Sequence, residues 1–150
     1  MIRKVGKFFS ILLLFLVLLN FIVVVSRYFL GVGQPALQEL ILYLHALIFL
    51  GCCAWAFEED EHVRVDIFYR DSPIHWKKRV NFFGALIFLL PTIIITGIYS
   101  IDFVQASWII KEASTEPGGL SFVYLQKGIL FLFPLLLSIV FIKEMLTGWK

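Results

Sequence analysis

Long apolar runs alternate with short polar segments along this 150-residue chain. Four runs are long enough to cross the ~30 Å hydrocarbon core of a bilayer, which takes about 20 apolar residues in a helix. They lie at about 8–29, 36–57, 80–104 and 120–143. Each run is continuously apolar, so we predict helices, which satisfy their own backbone hydrogen bonds in lipid, and not barrel strands. The pattern predicts an all-α integral membrane protein with a single domain of four transmembrane helices.

The first run resembles a signal peptide, because Arg3, Lys4 and Lys7 precede it. Its apolar part is 18 residues long, and no small-x-small cleavage site follows it. A signal peptide usually has a shorter apolar region and such a site. We therefore expect a retained first helix.

The distribution of basic residues predicts the orientation of the chain. Ten of the 13 Lys and Arg residues lie in the N-terminal tail, the loop at 58–80 and the C-terminal end; the remaining three are Arg27, Lys111 and Lys127. Cytoplasmic segments of membrane proteins are enriched in Lys and Arg. Both termini and the middle loop are therefore predicted to be cytoplasmic. Since the basic residues lie at membrane edges, nothing in the sequence supports nucleic-acid binding.

The middle loop has two predicted parts. Polar and apolar residues alternate from 62 to 67, which indicates an extended segment. Ser72 and Pro73 then suit the start of a helix that contains Trp76 and three cations. We predict a short interfacial helix there, with Trp76 at the depth of the lipid headgroups. Further along, Pro91 is expected to kink the third transmembrane helix.

The second half of the second helix is rich in small residues, including Gly51 and Ala54. Small residues allow the backbones of two membrane helices to approach closely. The neighbouring Cys52 and Cys53 point about 100° apart on a helix, so a disulfide between them is not expected. This half of the helix is predicted to pack against another helix.

Two ionisable residues of the second helix could carry function. Glu39, in its first turn, could be an ion or proton site. It could instead accept hydrogen bonds, with Arg27 or a residue of another subunit as the partner. His45 could ligate haem as in a membrane-anchor cytochrome, but His62 and His75 both lie in the loop. For His45 we expect a packing or hydrogen-bonding role, and no cofactor.

The charged loop after the second helix is the remaining candidate site. Glu61, His62 and Asp66 could be imagined as metal ligands, but their spacing matches no known helical or zinc pattern. We expect a structural loop in which Arg64 pairs with neighbouring carboxylates. The chain has no nucleophile elbow, phosphate-binding loop or acid–base pair, and an enzyme is not predicted. It also lacks an acidic residue in helix one, on which small multidrug exporters rely.

Several motifs in order resemble one family. Gln38-Glu39-Leu40 opens the second helix, and Gly51-Cys52-Cys53-Ala54-Trp55-Ala56 closes it. Glu61-His62-Val63-Arg64-Val65-Asp66 follows, and Ser114-Thr115-Glu116-Pro117-Gly118-Gly119-Leu120 precedes Tyr124 and Lys127. These motifs resemble those of the DctQ-type small permease subunit of tripartite ATP-independent periplasmic (TRAP) transporters.

The resemblance implies a scaffold in the bacterial inner membrane. Its partners would be a large multi-helix permease subunit, which carries the substrate and sodium sites, a periplasmic substrate-binding protein and the lipid bilayer. The substrate would be an organic anion with a carboxylate, such as sialic acid or a dicarboxylate. Residues expected to support the fold or its interfaces are Glu39, His45, Glu61, His62, Arg64, Asp66, Trp76, Gly118, Gly119 and Lys127. The alternative is a membrane anchor of a haem- or quinone-linked redox complex.

Overall fold

The structure, a computed structural model, describes residues 2–59, 61 and 71–148. Four helices in these ranges are long and apolar enough to cross a membrane. They are α1 (Ile2–Phe29), α2 (Pro35–Glu58), α3 (Ile74–Ile110) and α4 (Val123–Thr147). The described residues contain no β-strand. The predicted all-α fold with four membrane-spanning helices is confirmed.

The helices pack in the order α1, α2, α4, α3. The centre of the bundle lies where α2, α3 and α4 meet, around Ala54, Ile93 and Val140. Ala54 and Val140 are fully buried there. Most other large apolar side chains of the spans are exposed, as lipid or a partner subunit requires. Because α2 and α4 lie between them in the packing order, α1 and α3 form the two outer edges of the bundle.

The contact between α1 and α2 is close because glycines meet aromatic rings. A Cβ atom on Gly51 would overlap the ring of Phe9, and one on Gly6 would overlap the indole of Trp55. Cys52 lies against the same seam, with its Sγ 3.6 Å from the carbonyl oxygen of Gly6. The predicted packing role of the small residues is confirmed, and both cysteines are free thiols, as expected.

The helix α3 contains a π-helical turn where a kink was predicted. The turn covers Ala85–Leu89 and ends two residues before Pro91. Its defining bond joins the Leu90 N–H to the Ala85 carbonyl, five residues earlier. Proline lacks an N–H and cannot continue the ordinary bonding pattern, so a π turn absorbs the irregularity without ending the helix.

The predicted interfacial helix is not a separate element. The helix that begins at Ile74 runs through Trp76 and the basic cluster into the membrane-spanning part without a break. Pro73, and not Ser72, occupies the position before its first residue. The helical structure continues without a break from Ile74 through the π-helical turn to Ile110, which makes the helix 37 residues long.

Candidate functional site

Glu39 joins the start of α2 to the loop between α3 and α4. The Ser114 hydroxyl donates to Oε1 of Glu39, and the Leu120 N–H donates to Oε2 at 2.6 Å. Both carboxylate oxygens are thus used on groups that are 75 and 81 residues away in sequence. The hydrogen-bonding partners among the described residues are Ser114 and Leu120, and Arg27 is not one of them. We call Glu39, Ser114, Gly119 and Leu120 the Glu39 cluster.

The loop reaches Glu39 because two glycines shape it. Gly118 adopts φ +79°, which favours glycine, and the Gly119 N–H donates to the Glu116 carbonyl at 2.9 Å. A Cβ atom on Gly119 would lie 2.7 Å from Oε1 of Glu39 and closer still to the Ser114 hydroxyl. The Ser114 N–H closes the loop on the Leu120 carbonyl at 2.9 Å. Gly119 therefore allows the carboxylate and the loop backbone to meet.

A second polar contact lies at the same end of the bundle. Lys127, in the first turns of α4, places its Nζ 2.5 Å from Oε2 of Glu112 and 4.4 Å from the ring centroid of Phe103. The hydrogen bond from Lys127 lowers the pKa of the Glu112 carboxyl below its ordinary value. Lys127 thus enters the bundle as one partner of an ion pair.

An aromatic cluster surrounds the end of α3. Lys111 adopts a left-handed conformation, φ 49°, and ends the helix. Its Nζ lies 4.9 Å from the ring centroid of Trp108 and 4.8 Å from that of Tyr124, and the two rings pack edge to face. Aromatic residues with nearby cations are typical of the boundary between membrane and water.

The opposite end of the bundle has its own ionic contacts. Lys143 of α4 pairs with Glu58 of α2, whose side chain is only 13% exposed. Glu59 accepts a hydrogen bond from the Trp55 indole at 3.3 Å and lies 3.5 Å from Arg3 of α1. The Arg3 pair is exposed and contributes little. The half-buried Glu58 pair is the stronger link between helices at this end.

Of the other predicted residues, the described ones lie apart from these polar contacts. His45 is exposed on α2 and stacks on Phe49 with ring centroids 6.3 Å apart. Glu61 is exposed, and its N–H bonds to the carbonyl oxygen of Ala56. Trp76 is half exposed near the start of α3. His62, Arg64 and Asp66 lie outside the described residues, and no three or more His, Cys, Asp or Glu residues within the described ranges could together hold a metal ion.

Sequence reasoning missed four members of these contacts. They are Glu58, Glu112, Ser114 as a hydroxyl donor, and Lys143. One signal was present for the pair of Glu58 and Lys143. Opposite charges stand at the corresponding ends of two predicted helices that cross the membrane in the same direction. For Ser114 no such signal exists, because its contact depends on how the loop folds back over α2.

A family comparison places the chain among transporter components. The family model for tripartite ATP-independent periplasmic transporters, DctQ component, matches residues 16–150. No curated protein and no solved structure matches the chain. The matched region includes the second half of α1 and all of the other three helices, and it contains both polar clusters of the α3–α4 loop. The chain therefore belongs to the DctQ family, the small permease subunits of TRAP transporters.

Proposed function

We propose that this chain is a non-catalytic scaffold that holds the large permease subunit of a TRAP transporter in the bacterial inner membrane. The large subunit would carry the sodium sites and the site for an organic anion with a carboxylate. Membership of the DctQ family supports the assignment to a transporter that also contains a large permease and a substrate-binding component. The sodium coupling and the substrate class rest on the family resemblance.

The observation that supports a scaffold role most strongly is the engagement of Glu39. A residue that carries ions or protons must exchange partners during transport. Glu39 instead uses both oxygens on the Ser114 hydroxyl and the Leu120 N–H of its own chain. Lys127 is similarly committed to Glu112. Glu39, which the sequence offered as a possible ion or proton site, thus connects the start of α2 to the α3–α4 loop.

The proposed orientation places the α3–α4 loop on the periplasmic side. The support is the excess of Lys and Arg in the termini and the middle loop, which favours a cytoplasmic position for those segments. The loop would then present exposed residues, including Lys111 and Glu116, to the substrate-binding protein. Fusing a reporter that is active only in the periplasm to residue 116, or to the C-terminus as a control, tests this orientation.

Uptake by proteoliposomes tests the proposed function. Vesicles would contain the large permease, this chain or both, together with the binding protein, a sodium gradient and a panel of radiolabelled organic acids. We expect uptake of a carboxylate-bearing compound only where both subunits are present, and its loss when the sodium gradient is removed. Uptake by this chain alone, or full uptake by the large subunit alone, would contradict a scaffold role.

A further inference from the structure

The outward side of α3 carries a carboxylate. Asp102 follows the buried Ile93 by nine residues, and nine steps of about 100° place the two on opposite sides of a helix. Val104 and Ser107, on the bundle side, are 5% and 1% exposed. Asp102 is exposed, and no residue in the part of the chain that the structure describes pairs with it. Asp102 therefore points away from its own chain.

Asp102 lies within the span and not at its edge. A Cβ atom on Gly97 would contact Pro134 at 3.8 Å, so these residues are at one depth. Along the helix axis, at about 1.5 Å per residue, Pro134 lies roughly 13 Å from the level of Lys143. Asp102 is five residues beyond Gly97 and therefore lies roughly 8 Å further from that level. The start of α4 at Val123 is roughly 30 Å from Lys143, which matches the thickness of the hydrocarbon core. Asp102 is thus about 9 Å inside the membrane boundary.

A carboxylate at this depth needs a partner. Long Lys and Arg side chains can reach the headgroups from inside the membrane, but an aspartate is too short. Ionisable groups within spans accordingly face protein and pair with other polar groups. Tyr99 and Gln105, one helical turn away on either side, are also exposed and add polar atoms to this stripe. Tyr99 also lines an open apolar groove with Phe49 and Phe103, into which a side chain could insert.

The outer surface of α1 has the opposite character. Ser10 and Asn20, the polar residues between 8 and 25, bond to the backbone carbonyls of Lys7 and Leu16 in their own helix. The rest of its exposed surface in that range is apolar, and Leu14 is 69% exposed. Lipid can cover such a face without leaving a polar group unpaired. The two edges of the bundle are therefore chemically distinct.

We propose that the outward stripe of α3, formed by Tyr99, Asp102 and Gln105, is the surface that binds the large permease subunit. A membrane helix of that subunit supplies a cationic or other hydrogen-bond-donating side chain to Asp102. A second copy of this chain fits less well, because a twofold contact would bring two Asp102 carboxylates together. This inference rests on the proposed function, since it assumes that a large subunit is bound.

Photo-crosslinking in the complex with the large permease tests the assigned face. A photoreactive phenylalanine at Ile98, which is 59% exposed beside Asp102, should form an adduct with the mass of this chain plus the large subunit. The matched control is the same replacement at Leu14, on the exposed face of α1. We expect no protein adduct from that position. An adduct with the large subunit from Leu14 but not from Ile98 would overturn the assignment.

Substitution of Asp102 tests the chemistry of the contact. D102L loses no bond within the described chain, so we expect its helicity to match the unmodified protein by circular dichroism. Recovery of the large subunit with the tagged chain should fall by about tenfold in D102L and by less in D102N, because one interhelical polar contact is removed or weakened. E116Q, which changes an exposed carboxylate in the loop, is the control.

The outcomes separate the inference from the proposed function. If the unmodified chain does not co-purify with the large subunit, the proposed function fails and the inference fails with it. If it does co-purify, but D102L recovers the large subunit as well as the unmodified chain, the inference alone fails. It also fails alone if Ile98 crosslinks only to lipid or to a second copy of this chain.

Discussion

Removing the Glu39 carboxylate should release the α3–α4 loop from α2. In the substitution E39A, the Ser114 hydroxyl and the Leu120 N–H both lose their acceptor. A hydrogen bond to a charged group contributes about 1.5–3 kcal/mol. Ser114 and Leu120 are only half buried, so water can replace part of each bond. We therefore take the lower value for each and expect a total cost of about 3 kcal/mol for opening the loop.

Hydrogen exchange of the segment 113–122 measures this cost directly, because exchange reports local opening. A change of about 3 kcal/mol should speed exchange of the Leu120 amide by roughly a hundredfold. E39Q keeps one oxygen to accept the Leu120 N–H but loses the charge, which should cost about 1 kcal/mol and speed exchange several-fold. The expected order of exchange rates is E39A, then E39Q, then the unmodified chain.

The matched control is E116A, which removes an exposed carboxylate from the same loop. In the structure only the backbone of Glu116 takes part in the hydrogen bonds of the loop. Its replacement should leave exchange at Leu120 unchanged. Equal exchange rates at Leu120 in E39A and E116A, or equal rates in E39Q and E39A, would contradict the role given to the Glu39 carboxylate.

Three further predictions concern packing and charge, and each is read from thermal unfolding in detergent. G51A should destabilise the chain by about 1–3 kcal/mol because the added methyl group would overlap the aromatic ring of Phe9 in α1. The control G97A, whose added methyl would make an ordinary contact at 3.8 Å, should be nearly neutral. Equal effects of the two substitutions would contradict the close packing of α1 on α2 at Gly51. The pKa of Glu112 is lowered in the folded chain, so its ion pair stabilises the fold above the ordinary pKa of a glutamate, and this stabilisation is lost as the pH falls through the lowered pKa. E112Q should therefore flatten the fall in Tm between about pH 5 and pH 3. An unchanged pH profile of Tm would exclude this contribution. K143M should destabilise the chain by about 1–2 kcal/mol, between the values for exposed and buried ion pairs, because it leaves the largely buried Glu58 charge without its partially exposed partner. E58Q/K143M should recover most of that loss; if the double variant is as unstable as K143M, the pair is not the cause.

The spans could be predicted from sequence because they depend on a local quantity. A run of about 20 apolar residues is enough to indicate a membrane helix, whatever surrounds it. The small residues around Gly51 likewise predicted a close helix contact, which the ring of Phe9 makes. The predicted start of the third span at 80 differs from the observed start of the helix at Ile74. Hydropathy marks where a helix enters lipid and not where its hydrogen bonds begin.

The candidate site was harder to predict from the sequence, since its contacts depend on how the loop folds. Glu39 was recognised as a carboxylate that needs a partner, but the partner comes from a turn more than 70 residues away. The turn signal at 117–119 predicted that the chain reverses there, and not that it would lie over the first turn of α2. Asp102 was overlooked for a related reason. It stood near the end of a predicted span, and only the helix packing shows that it points outward.

A scaffold subunit should stabilise the folded large permease subunit, and thermal unfolding of that subunit measures this effect directly. The large subunit would be purified alone and with an excess of this chain, in the same detergent and at the same concentration. A partner that binds the folded state at a hundred times its Kd stabilises it by about 2.7 kcal/mol. We expect a clear rise in the Tm of the large subunit. An unchanged Tm, with both proteins folded and this chain in excess, would contradict the scaffold role.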